Sequence, residues 1–218
     1  MCGINSKIKK MKVKICGMKF PKNILEIGAL QPDYMGFIFY PKSKRFVGEK
    51  FSRKSIENLP ETTKKVGVFV NESVETVIKI QKQFSFDSVQ LHGDESVEMC
   101  SILQQNGIEI IKTFSIDNYF DFEKTKPFES VCDLFLFDTK TIKYGGSGKA
   151  FDWKILEKYN SEKPFFLSGG LGLHNLKKIR QINHPQLIGF DFNSRLEDEN
   201  YKKITEEVNE LIQKIRTK

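Results

Sequence analysis

Val13-Lys14-Ile15-Cys16-Gly17-Met18-Lys19-Phe20-Pro21 is the stretch that separates the two folds open to this chain. An apolar and basic run that stops at a glycine reads as a first buried strand ending near Gly17. An open doubly wound sheet usually carries GxGxxG after its first strand, and Cys16-Gly17-Met18-Lys19-Phe20-Pro21 stands there instead. Further apolar runs begin near Tyr34, Val66, Ser88, Ile110, Leu134, Phe165 and Ile188, each followed by polar or glycine-containing residues and a helical pattern. They recur at roughly 20 to 30 residues, the length of one strand, loop and helix. Repetition of that unit, with no strand-only or helix-only block, predicts a parallel sheet closed into an α/β (β/α)8 TIM barrel, with its site at the loops after the strands. Helical spacing of apolar residues is clearest over 73–84, 95–105, 174–182 and 199–215.

The 218 residues, 39% of them hydrophobic, suffice for one sizeable core, and no Pro/Gly/Ser-rich linker divides them. Residues 1–10 are expected to be a disordered extension and 11–218 a single barrel domain. The net charge of +7 suits anionic partners in general. Lysines are scattered through nearly every segment without an aromatic-interleaved patch, so a solvated basic surface that welcomes a small phosphorylated molecule is expected rather than a nucleic-acid interface. No apolar run approaches a membrane span in length, and the N-terminus lacks the hydrophobic core of a secretory signal. Cys2, Cys16, Cys100 and Cys132 are far apart, with no CxxC pair. Neither zinc nor a disulfide framework is indicated, and a reducing cytoplasm fits.

The predicted strand ends collect the chemistry. Alternation puts Lys14 and Cys16 on one face of the first strand, where a neighbouring cation favours thiolate over thiol; a buried structural cysteine is the alternative. Arg45 lies in the basic loop Tyr40-Pro41-Lys42-Ser43-Lys44-Arg45 and either grips a carboxylate through two parallel hydrogen bonds or is simply solvated. Gln90 and His92 face inward on the fourth strand, with His92 read as a satisfied hydrogen-bonding group. In Leu134-Phe135-Leu136-Phe137-Asp138 the carboxylate shares the face of Leu134 and Leu136, and such an inward charge is costly unless paired or used. The segment that follows, with Gly145, Gly146 and Gly148, is expected to be a mobile lid. Gly169 and Gly170 after the seventh strand, with Asn193 and Ser194 after the eighth, sit where barrels of this kind frequently bind phosphate; a plain tight turn is the other reading of the glycine pair.

Lys14-Ile15-Cys16-Gly17, Gly36-Phe37-Ile38-Phe39, Gln90-Leu91-His92-Gly93, Asp138-Thr139 with Gly145-Gly146-Ser147-Gly148-Lys149 and Phe151-Asp152-Trp153, and Leu167-Ser168-Gly169-Gly170-Leu171 together resemble the phosphoribosylanthranilate isomerase family of tryptophan biosynthesis. Two positions depart from its usual pattern: Arg195 follows Ser194 where glycine is usual, and Lys44 precedes Arg45 where proline is usual. The resemblance implies an Amadori rearrangement of N-(5-phosphoribosyl)anthranilate with Cys16 as general base and Asp138 as general acid. It further implies Arg45 as carboxylate clamp and the last two loops, with Gly169, Gly170, Asn193 and Ser194, as the phosphate site. No cofactor or metal is required by that chemistry, and a monomer or homodimer is expected. Lys14 and the cationic loops are expected to draw Cys16 toward thiolate.

Overall fold

The strands form in short runs rich in β-branched and aromatic residues, apolar on both faces over most of their length, and they close on themselves. The computed structural model describes residues 10–139 and 152–217. Of the expected lid, 139–151, all but Thr139 lie outside the described residues, as do residues 1–9 of the expected N-terminal extension, 1–10. The strands are β1 (Lys12–Ile15), β2 (Tyr34–Ile38), β3 (Lys64–Phe69), β4 (Ser88–Leu91), β5 (Glu109–Ile116), β6 (Leu134–Thr139), β7 (Phe165–Ser168) and β8 (Leu187–Phe192). Each pairs in parallel with the next and β8 pairs with β1, giving a closed barrel. The register Lys14↔Asp191 and Ile15↔Phe192 is the closure, and it sets chain positions 177 residues apart side by side.

Alternation sorts the strand side chains into two layers. Val13 and Ile15, Met35 and Phe37, Val89 and Leu91, Phe135 and Phe137 point outward and form the main core against the helices. Tyr34, Ile38, Val66, Val68, Ile111, Leu134, Leu136 and Phe166 fill the barrel interior together with Cys16. The interior is therefore a packed core that admits few polar groups, with Ser88 near its lower end and Lys14, Gln90 and Asp191 nearer the upper.

The outer layer comprises α1 (Pro21–Gly28), α2 (Val74–Phe84), α3 (Val97–Gln105), α4 (Leu176–Ile179) and α5 (Thr205–Arg216). Pro21 opens α1 with a preset φ, while Ser73 and Ser96 cap α2 and α3 by accepting from the amides of Thr76 and Met99. Other crossovers use short 3-10 turns, among them Phe122–Phe128, which contains Pro127 and so cannot run on as a regular α-helix. The helix expected from 199 begins only at Thr205. Asp198 accepts from the amides of Asn200 and Lys202, and the resulting turn, with Tyr201 at a left-handed φ, occupies the residues that the periodicity had assigned to helix. Likewise 174–182 contracts to a 3-10 turn and the short α4. Among the described residues no helix is long and apolar enough to cross a membrane.

Candidate active site

A cavity of about 500 Å³ opens at the C-terminal ends of the strands, and its lining includes every site residue expected from the sequence: Cys16, Arg45, Asp138, Gly169, Gly170, Asn193 and Ser194. It also includes His92 and Asp191, which sequence reasoning did not place in the site. Arg195, at the position where the family usually has glycine, is exposed and does not line the cavity.

One wall belongs to β1 and β8. Lys14 is fully buried, and its Nζ donates to Asp191 Oδ1 at 3.0 Å. Cys16 follows on the same inward face, its thiol at the cavity surface with only 5% of the residue exposed. Gly36 on β2 makes this arrangement possible: a Cβ there would lie 2.8 Å from Cys16 Sγ and 3.2 Å from Lys14 Nζ. Burial pushes the Cys16 thiol above its ordinary value, and the Asp191 charge adds to this, while Lys14 and Lys203 pull the other way and lose. The expectation that cations hold Cys16 down as a thiolate is thus reversed. The cause is that the site is dry and that Lys14 is already committed to a carboxylate. Asp191 is pushed up by burial as well, although Lys14 opposes it. Burial lowers Lys14, but the charges of Asp191 and Cys16 more than offset that, so it stays ammonium.

The opposite wall belongs to β4 and β6. Asp138 points into the cavity as its alternation requires, with about a third of its side chain exposed (32%), and its Oδ2 lies 3.4 Å from His92 Nε2. The inward carboxylate, costly to bury unless paired or used, is only partly removed from water, because it stands next to the end of β6 at the cavity mouth. Gln90, fully buried behind His92, donates from Nε2 to His92 Nδ1 at 2.8 Å and to Thr113 Oγ1 at 3.2 Å. His92 is a satisfied hydrogen-bonding group, as expected, and it is a cavity residue too. The turn beyond it is fixed by Glu95, which accepts from the amides of Gly93 and Asn71 and pairs with buried Lys112 at 2.9 Å.

Between the walls, Arg45 makes the two-pronged carboxylate grip its sequence context suggests, but on an internal partner. Its Nε lies 2.9 Å from both oxygens of Glu197, and its Nη2 also donates to Oε1. Glu197 receives Lys203 Nζ at 2.7 Å, and the same ammonium donates to Asn193 Oδ1 at 2.8 Å and to its carbonyl at 3.0 Å. Burial works against ionisation of Glu197, yet the hydrogen bonds from Arg45 and Lys203 hold its carboxyl below the usual range. This chain of contacts ties the β2 loop to the β8 loop. Gly17 seats both: it has φ +78°, and a Cβ would lie 2.6 Å from Asn193 Oδ1 and 2.7 Å from Arg45 Cδ. Glu197 was invisible to sequence reasoning because its partner is 152 residues away.

Gly169 and Gly170 take φ of +101° and +62°, a left-handed course that favours glycine. Asn175 reinforces the turn by donating to the Gly170 carbonyl at 3.1 Å and accepting from Gly172 N at 3.0 Å. Bare backbone is thereby presented to the cavity beside Asn193 and Ser194.

Known proteins share this sequence pattern and fold. Residues 13–214 match the family model of N-(5'phosphoribosyl)anthranilate (PRA) isomerase. A curated N-(5'-phosphoribosyl)anthranilate isomerase of Parabacteroides distasonis is 45% identical over 206 residues, covering 94% of this chain and 93% of that protein. The crystal structure of phosphoribosyl anthranilate isomerase from Thermotoga maritima superposes with a TM-score of 0.83 at 33% identity, covering 94% of this chain and 98% of its own. A further solved member, in complex with reduced 1-(O-carboxyphenylamino)-1-deoxyribulose 5-phosphate, gives a TM-score of 0.80 at 29% identity over 94% and 98% of the two chains. With a closed eightfold barrel, a cysteine and an aspartate on facing walls of its cavity, and a match spanning nearly all of its length, this chain belongs to the phosphoribosylanthranilate isomerase family.

Proposed function

We propose that this protein converts N-(5'-phosphoribosyl)anthranilate to 1-(2-carboxyphenylamino)-1-deoxyribulose 5-phosphate, the Amadori step of tryptophan biosynthesis, by general acid and base catalysis between Asp138 and Cys16. The observation that carries this reading is the placement of the two groups on facing walls of one cavity that also holds a guanidinium and a glycine-lined loop. Asp138 delivers a proton to the ribose ring oxygen as the C–O bond breaks, leaving a cationic iminium. Cys16, as thiolate, removes the proton from the adjacent sugar carbon; the C–H electron pair forms a carbon–carbon double bond as the C=N pair returns to nitrogen, and the resulting enaminol tautomerises to the aminoketose. Gly169, Gly170, Asn193 and Ser194 hold the phosphate. Arg45 meets the anthranilate carboxylate with the guanidinium edge that Glu197 does not occupy. The ligand is a soluble phosphorylated metabolite, and the cytoplasm is the place of work.

Turnover of N-(5'-phosphoribosyl)anthranilate by the purified chain is the test. Conversion to the aminoketose is expected, and it disappears in Cys16→Ala. A chain that binds the compound without converting it sinks the proposal.

A further inference from the structure

Two acids and one ammonium share the dry wall of the cavity. Lys14 is buried behind Cys16 and Asp191, both of which reach the cavity surface; it pairs with Asp191, and its ammonium lies beside the Cys16 sulfur against Gly36. Among the described residues no second cation reaches the cavity from β1 or β8: Lys203 and Arg45 approach from the loops and are committed to Glu197, while His92 and Asp138 face Cys16 from across the cavity. One positive charge stabilises one adjacent anion well and two poorly, because the second is left facing a like charge without water to screen it.

We infer that Asp191 is a positioning residue for the base: it anchors the Lys14 ammonium beside Cys16 and competes with the thiol for it, so that the thiolate is fully favoured only when the substrate brings a positive charge of its own. The inference rests on Cys16 being the base. In the free enzyme Asp191 holds the ammonium and Cys16 keeps its proton, releasing it to solvent only as the pH is raised. Once proton transfer from Asp138 opens the ring, the iminium lies beside the thiol while the new Asp138 carboxylate stands across the cavity and partly in solvent; Cys16 then gives up its proton to solvent, and the thiolate becomes the stable form next to the carbon it must deprotonate. The thiolate ends this step as a thiol, the iminium as a neutral enamine, and the Lys14–Asp191 pair is unchanged. A base that is weak in the empty site and strong only against the reactive intermediate is protected from alkylation and oxidation between turnovers.

Alkylation of Cys16 by iodoacetamide, followed across pH in the full-length protein by mass spectrometry of the Cys16 peptide, tests this without needing turnover. Asp191→Asn frees Lys14 for the thiolate, and its alkylation midpoint is expected about one unit or more below that of the wild type. A purely structural role for Asp191 would leave the midpoint in place. Lys14→Met with Asp191→Asn removes both charges at similar volume and is expected to raise the midpoint above wild type; if Asp191→Asn alone does not fold, this double variant decides. An unchanged or higher midpoint in Asp191→Asn, or an unchanged or lower one in the double variant, overturns the inference. Should Cys16→Ala retain turnover, the base assignment fails instead, and the alkylation profiles show separately whether the coupling exists.

Discussion

On the wall built by β1 and β8, Cys16, Lys14 and Asp191 are almost completely removed from water, whereas on the wall built by β4 and β6, His92 and Asp138 keep about a third of their side chains exposed (36% and 32%). The first wall is tied by a 3.0 Å ion pair across the barrel closure, whereas on the second the titratable pair His92 and Asp138 meets only at 3.4 Å. Charges in the dry wall feel one another strongly and their ionisation is set by the protein, while those in the wet wall are screened and await the ligand. The difference teaches that one cavity can separate the tuning of a base from that of an acid by giving each its own dielectric surroundings. It also predicts that substitutions on the two walls fail in different ways.

The largest expected effects are on rate. Asp138→Asn and Cys16→Ser each remove a proton-transfer group worth roughly 100- to 10,000-fold. Both are expected to lose that much in kcat, measured with chemistry shown to limit turnover. Near wild-type kcat in either variant would remove that residue from the mechanism. On the wet wall the loss should come without any change in thermal unfolding, because Asp138 has little buried interaction to forfeit.

Stability separates the walls next. Asp191→Ala leaves the buried Lys14 ammonium without its carboxylate and should destabilise the fold by about 3–5 kcal/mol. Asp138→Ala breaks one long and partly solvated contact and should change stability by about 1 kcal/mol at most. Urea unfolding of the two variants side by side checks this, and equal losses would show that the contrast in burial has no energetic consequence. Between the walls, Arg45→Ala removes a charge-assisted contact worth about 1.5–3 kcal/mol and should raise KM for the substrate accordingly, with kcat much less affected. Lys203 still pairs with Glu197 in that variant, so folding should survive. An unchanged KM would mean that Arg45 serves only Glu197.

How much of this was legible in the chain depends on whether a feature is local. The strands and their inward faces follow from alternation, so Cys16, Asp138 and the glycine pair at Gly169 could be assigned to one end of a barrel before any coordinates. Asp191 was readable as a residue of the last strand but not as a partner of Lys14, because that contact exists only where the barrel closes. Glu197 and Lys203 stand outside the strands, in the turn that displaced the expected start of α5, and nothing in their spacing points to Arg45. The mistaken expectation for Cys16 has the same root. The nearby lysine was visible in sequence, and the carboxylate that already holds it was not.

The smallest expected effect is a displacement along the pH axis rather than a loss of rate, and it bears most directly on the contrast between the walls. Cys16 is raised above the ordinary thiol value by burial, so the free enzyme holds mainly thiol at neutral pH and gains thiolate as the pH climbs. Since kcat/KM reports the free enzyme, it should rise with pH along a limb lying above the midpoint of an unstructured cysteine peptide titrated alongside. The limb in kcat reports the bound state, where the iminium adds a second cation to the dry wall, and it should lie at lower pH than the limb in kcat/KM. These are macroscopic values belonging to the coupled set of Cys16, Asp191 and Lys14 rather than to the thiol alone, so the direction of the displacement between the two profiles is the quantity to compare. If the kcat/KM limb fell below that of the free peptide, cations would dominate burial at Cys16 after all. If the two limbs coincided, substrate charge would have no part in forming the base, and the dry wall would be tuned by the protein alone.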